Sequence, residues 1–204
     1  SSATLSNLAG IESFESIVAA DKWSTTSPTN LLELTVHPTA CHVKDGLVTQ
    51  TSLSVVSSLF NRWRGSIKYR IIFGASMFVK GKMAVSAVPV VFRNRKMSVE
   101  EICAFPCLIC DLSSQNREFT FEVPYVSIGT DSYVVRDALY DTSSYSAKFV
   151  VSRLHFVVLD PLVMNANASN SVSFIVTQSP GKDFQLSQLS GVKAEFVDRR
   201  LKPQ

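Results

Sequence analysis

The sequence predicts an all-β fold: an eight-stranded antiparallel jelly-roll β-sandwich with two short inserted helices. Three observations carry this expectation. The dominant apolar period is two along most of the chain. A helical period appears in only two short stretches. No strand–helix–strand alternation runs through the sequence, so a parallel sheet is not expected. A jelly roll also accepts short helices in its crossing connections.

The elements follow in order. SFESIVAAD (13–21) is a weak strand candidate. LLELTV sets Leu32, Leu34 and Val36 against Glu33 and Thr35, a half-buried strand. TSLSVVSSLFNRW places Leu53, Val56, Leu59, Phe60 and Trp63 three and four residues apart, which predicts one apolar helical face ending at Trp63. Thr51 or Ser52 can cap its start. SIKYRIIF puts Ile67, Tyr69, Ile71 and Phe73 on one face, with Lys68 and Arg70 opposite. KMAVSAVPVVF is apolar on both faces, as a strand covered on both sides would be. SVEEICAF opens with a capping box, Ser98 as N-cap and Glu101 at N3, and Pro106 stops the helix. CLICDL is a further short strand. REFTFEV alternates Phe119, Phe121 and Val123 with charged and polar residues. Residues 125–145 are polar and weakly periodic, and are expected to form an extended surface loop. KFVVSRLHFVVL again reads as a strand covered on both faces. SVSFIVTQ alternates Val172, Phe174 and Val176 with Ser and Thr.

Composition bounds the function. Of the 204 residues 46% are hydrophobic and 18% charged, which suits a large core rather than a disordered chain. The net charge of +3 is too mild to argue for dedicated nucleic-acid binding. No apolar run reaches the length of a membrane span, so no membrane insertion is expected. The start, SSATLSNLAG, shows no signal peptide and no myristoylation motif. No nucleophile elbow, P-loop or dinucleotide fingerprint is present. No catalytic residue, cofactor or metal is therefore assigned. His37, His42 and His155 are scattered, and His155 is expected to be structural. Cys103, Cys107 and Cys110 have a spacing that metal ligands use, with Cys41-His42 elsewhere. A proline break and opposed strand faces speak against it, so reduced thiols are the expectation.

FNRWRGSIKYRIIFG (60–74) interleaves Arg62, Arg64, Lys68 and Arg70 with Phe60, Trp63 and Tyr69. As a stripe it would contact phosphates and stack bases. Its periodicity instead places Trp63 and Tyr69 inside and leaves the cations for subunit contacts or weak RNA attraction.

Extended to FNRWRGSIKYRIIFGASMFVKGKMAVSAVP, the stretch resembles the central signature of picorna-like virus capsid proteins. Trp63, Arg64 and Gly65 match the turn that follows the helix. Ser76, Met77 and Phe78 match the apolar middle segment. Gly81 and Lys82 match the next turn, and Pro89 the strand end. Pro124 and Tyr125 match a Val-Pro-Tyr segment, Trp23 with LLELTVHP an opening one, and Asp183-Phe184 a closing one. The resemblance implies one jelly-roll capsid domain over 1–204, with an N-terminal arm (1–12) and a C-terminal extension (181–204). It implies partners that are the other coat proteins of the same virus, and nonspecific contact with single-stranded positive-sense RNA. It places the chain in the virion, and in the host cytoplasm during assembly. Ser1 and Gln204 suit release from a polyprotein by a protease that cuts after Gln. A plant secovirus-type coat protein is the preferred form. The competing expectations are a non-viral jelly-roll binding module and an RNA-binding or movement protein using the stripe at 62–70.

Overall fold

The computed structural model describes residues 15–44, 47–92, 95–127, 129–134, 150–164 and 170–190. Ser1, Gln204, the arm at 1–12 and most of the expected loop at 125–145 lie outside them. So do residues 191–204 of the C-terminal extension.

Eight strands form two four-stranded antiparallel sheets. The first contains β1 (Ser16–Ser24), β12 (Ser171–Pro180), β6 (Ile67–Phe73) and β9 (Glu118–Val123), in that order. The second contains β2 (Asn30–Val36), β11 (Ser152–Val163), β7 (Lys80–Pro89) and β8 (Cys107–Asp111). Consecutive strands of the sandwich alternate between the sheets except β7 and β8, which are neighbours in the second, and this is jelly-roll connectivity. Each of the strands expected from period-two patterning is present.

Side-chain alternation builds the layer between the sheets. In β6, Ile67, Tyr69, Ile71 and Phe73 are buried, while Lys68 and Arg70 are half-exposed on the other face. Phe156 of β11 stacks on Phe174 of β12 with centroids 6.0 Å apart, joining the two sheets. Trp23 is fully buried and meets Phe73 edge-on. Strand β7 is buried on both faces because helix α2 (Val99–Cys103) covers its outer side. There Val88, Ile102 and Val157 form a second cluster, and the Ser86 hydroxyl donates to the Ile102 carbonyl at 2.6 Å. The capping box is formed: Ser98 Oγ accepts from Glu101 N–H, and Glu101 accepts from Ser98 N–H.

One expected element is corrected. The helix does not run to Trp63. Helix α1 spans Ser52–Ser57, capped by Thr51, and Phe60–Arg64 is strand β5. β5 pairs with β10 (Ser132–Tyr133) on one side and β13 (Gln185–Leu189) on the other. The sequence of α1 explains its length. Three of its six residues are Ser and two are Val, both weak helix formers. Once two strands offer ladder hydrogen bonds, the extended form prevails from Phe60 onward. Phe60 and Trp63 are both buried, so apolar spacing alone did not separate helix from strand. A hairpin of β3 (Cys41–Lys44) and β4 (Leu47–Gln50) also lies outside the eight expected strands. The described residues thus hold thirteen strands.

Candidate functional site at the Trp63–Asp183 junction

The signature residues fall in two places. The first is the turn from β5 to β6. Trp63 is 1% exposed and sits among aromatic rings. Its ring meets His37 at 5.7 Å and Tyr125 at 5.3 Å edge-on, and stacks on Phe184 at 6.1 Å. Tyr125 is fixed in turn by its hydroxyl, 3.0 Å from Ser132 Oγ. Pro124 precedes it at the end of β9.

Gly65 makes the turn possible. Its φ is +98°, and a Cβ there would stand 2.3 Å from the Asp183 carbonyl oxygen. Only glycine accepts both conditions. Ser66 then ties the turn to the residues before β13. Its N–H donates to Asp183 Oδ1 at 2.8 Å, and its hydroxyl reaches the Asp183 carboxylate and Glu122 Oε1 at 2.6 Å. These bonds from Ser66 hold the Asp183 carboxyl below the usual carboxylate range. Gly65 is thus a hinge between two strands, where the sequence placed it between helix and strand.

The cations of the stripe are mostly engaged. Arg62 lies 3.7 Å above the Tyr133 ring and donates to the Tyr133 hydroxyl at 2.8 Å. Arg64 donates twice to Gln185 Oε1, at 2.9 and 2.5 Å. Arg70 is paired with Glu118 at 3.0 Å and with Glu15, and both raise its affinity for its proton. Lys68 stands opposite Glu122 in the ladder and has no ion pair with another described residue. Trp63 and Tyr69 are each 1% exposed, so neither can stack on a base. A shallow groove of about 740 Å³, lined by Arg64, Ser66, Glu122, Tyr125, Lys182 and Asp183, runs beside the junction. Its mixed charges suit a protein contact.

The second place is the start of β7. A Cβ on Gly81 would stand 2.7 Å from Trp23 Cη2, so the absent side chain makes room for that ring. Lys82 pairs with Asp160 at 3.4 Å and Asp111 at 4.0 Å. Pro89 ends β7 opposite Ser152. Gly81 and Lys82 lie at the end of the sandwich away from Trp63, and Pro89 lies at the other end of β7, so the signature residues do not converge.

No described constellation supports catalysis. Burial pushes the Cys107 thiol up to about 11 and the Cys110 thiol up to about 12, away from reactive thiolates. Among the described residues no group of three or more His, Cys, Asp or Glu side chains would hold a metal ion. His37 is fully buried, and burial lowers it to about 4. Its ring bridges Thr39 Oγ1 at 2.7 Å and the Tyr133 carbonyl at 3.3 Å. Burial likewise lowers His155 against the pull of Glu33, 3.4 Å away. No helix among the described residues is long and apolar enough to cross a membrane.

Sequence reasoning did not single out Ser66, Glu122 or Arg117. Ser66 meets Glu122 and Asp183 across long sequence separations, and no local pattern carries that signal. Arg117 donates to five backbone carbonyls in two turns, a role visible only once both turns are in place.

Comparison with known proteins gives a consistent result. The family model for calicivirus coat protein matches residues 21–201. The genome polyprotein of rice tungro spherical virus (strain Vt6) is 58% identical over 183 residues, 90% of this chain. The chain spans 5% of that polyprotein's length. A chain of the deformed wing virus structure carrying the GFP gene superposes with a TM-score of 0.78 and 26% identity, over 95% of this chain and 52% of that one. The Triatoma virus empty capsid gives a TM-score of 0.79 at 20% identity, over 98% of this chain and 81% of that one, which speaks for the fold. The resemblance to picorna-like capsid proteins, in its secovirus-type form, is borne out. By sequence and by fold, this chain belongs to the calicivirus coat protein family.

Proposed function

We propose that the chain is a structural coat subunit that assembles with related jelly-roll subunits into an icosahedral shell around single-stranded positive-sense RNA. The observation that carries this is the family match over 21–201 on a sandwich of two four-stranded antiparallel sheets. A shell of many copies is stable through many modest interfaces, and a chain only 18% charged is suited to forming them. RNA contact is electrostatic and nonspecific, with Arg62, Arg64 and Lys68 as candidate contributors. The signature residues Trp63, Gly65, Gly81, Pro89, Pro124 and Tyr125 act by fixing turns and packing, not by touching a ligand. The subunit needs no cofactor or metal and does not insert into membranes. It resides in the virion, and assembly takes place in the host cytoplasm.

The two competing readings fare worse. Membership of a coat protein family weighs against a cellular binding module. The burial of Trp63 and Tyr69 weighs against base stacking by an RNA-binding or movement protein. Co-expression with the neighbouring coat proteins and the processing protease tests the proposal. Uniform isometric particles containing this chain and RNA are expected by electron microscopy. Particles that form from the siblings while this chain stays monomeric would overturn it.

A further inference from the structure

Helix α2 ends at Cys103 and β8 begins at Cys107, with Ala104, Phe105 and Pro106 between them. One buried hydroxyl shapes this connection. Ser86 Oγ donates to the Ile102 carbonyl at 2.6 Å and stands 3.4 Å from the Pro106 carbonyl. The Pro106 carbonyl also accepts from Ala87 N–H at 2.9 Å, and Phe105 N–H donates to the Ile102 carbonyl at 3.3 Å. Two carbonyls on either side of the turn are thus gathered onto β7, and a cysteine follows each of them. Phe105 packs the turn down, its ring 5.4 Å from that of Phe92.

The register brings the thiols to one face. Cys107 stands opposite Ser86 in the β7–β8 ladder, so its side chain points to the side of the sheet that α2 covers. There the Cys103 and Cys107 thiols lie within hydrogen-bonding reach of each other. Both residues are half-exposed, so a small solute can reach them. The other two cysteines are placed differently. Cys110 is fully buried in the layer between the sheets. Cys41 lies on β3, its thiol donating to the Thr39 carbonyl at 3.2 Å. Two accessible thiols in contact, one closing a helix and one opening a strand, are placed for a covalent link.

We propose that Cys103 and Cys107 form a reversible redox site, which a low-molecular-weight disulfide such as oxidised glutathione converts into an intrachain disulfide joining α2 to β8. The step is thiol–disulfide exchange. The Cys103 sulfur gives up its proton and attacks one sulfur of the small disulfide. That S–S bond breaks, one small thiol leaves with a proton, and a mixed disulfide remains on Cys103. Cys107 then loses its proton and attacks Cys103 Sγ, and the second small thiol leaves. Two protein thiols are oxidised, and one small disulfide is reduced to two thiols. Burial and the neighbouring Cys103 push the Cys107 thiol up to about 11, which suits it to the second attack, where proximity offsets a low thiolate fraction. The link has a structural consequence. Helix α2 has only five residues, yet it covers Val88 and Val157 with Ile102. Oxidation anchors this cover to a strand of the sheet beneath it, and a small thiol releases it again.

The test equilibrates the full chain at rising ratios of oxidised to reduced glutathione, quenches it with N-ethylmaleimide in urea, and fragments the tryptic peptide 97–117 by mass spectrometry. The expected product has lost two hydrogens and carries the label on Cys41 and Cys110 but not on Cys103 or Cys107. Dithiothreitol should restore all four thiols. Cys103→Ser should abolish the link, and Cys41→Ser should leave it intact. A link that involves Cys41 or Cys110, glutathione that stays on Cys103 without release, or four labelled thiols in every buffer would overturn the site. Oxidation is expected to slow hydrogen exchange at 98–106 by about tenfold, because the bond suppresses local opening of α2. Unchanged exchange in the oxidised chain would overturn the anchoring of the helix.

Discussion

At one end of the sandwich Trp63, Gly65 and Ser66 bind β5, β6 and the residues before β13 into a buried junction. At the other end Arg117 ties two turns together and leaves Met77 and Phe78 in solvent. Both ends are tied by hydrogen bonds, but for different purposes. The junction spends its aromatics inside, where they hold the subunit together. The turns spend theirs outside, where only another molecule can cover them. Mutations at the two ends should therefore differ in their cost to folding.

The largest expected effect is at the junction. Trp63→Ala removes a ring packed against three others, and should cost about 4 kcal/mol of folding stability by urea denaturation. A loss below about 1 kcal/mol would mean that the junction is not a core. Gly65→Ala comes next, at about 3 kcal/mol, because it combines a positive φ with a backbone collision at Asp183. Normal stability in that variant would contradict the hinge.

Acid should weaken the same end. His37 has an ordinary value of 6.5 and is lowered to about 4 by burial. The unfolded chain then binds the proton more tightly. The stability that neutral His37 contributes is complete above pH 6.5 and is lost as pH falls from 6.5 to about 4. The loss is roughly 2 to 3 kcal/mol. Denaturation at pH 7 and pH 4.5, repeated on His37→Asn, checks this. The difference between the two pH values should shrink in the variant, and an unchanged difference would assign it to other groups.

The smallest effects on folding belong to the exposed sites. Arg64→Ala should cost no more than about 1 kcal/mol, since its bonds to Gln185 are exposed to solvent. Phe78→Ser should change the stability of the isolated subunit by less than about 0.5 kcal/mol. Unfolding of the subunit by Phe78→Ser would erase the distinction between the two ends.

Much of this architecture was legible in the sequence. The period-two runs at 67–73, 118–123 and 171–176 carry their own burial pattern, and the structure reproduces it. The two-sided apolarity of 82–92 announced a covered strand, and α2 covers the strand β7 found there. Strand β5 was not legible. Apolar residues at 53, 56, 59, 60 and 63 fit a helix, and only the partners β10 and β13, more than sixty residues downstream, decide for a strand. The β3–β4 hairpin had a local signal: Asp45-Gly46 between two β-prone runs is a favoured hairpin turn. At the junction, Trp63, Gly65 and Asp183 stood out in sequence, whereas Ser66 and Glu122 join them only through the fold.

The central claim is that this chain is a shell subunit whose buried Trp63 junction stabilises the fold. A cryo-electron-microscopy reconstruction of particles from the co-expressed coat proteins tests it most directly. The account predicts density for this sandwich in the shell, with Trp63 enclosed by His37, Tyr125 and Phe184. A shell that lacks this chain would contradict the claim, as would one that leaves Trp63 facing solvent.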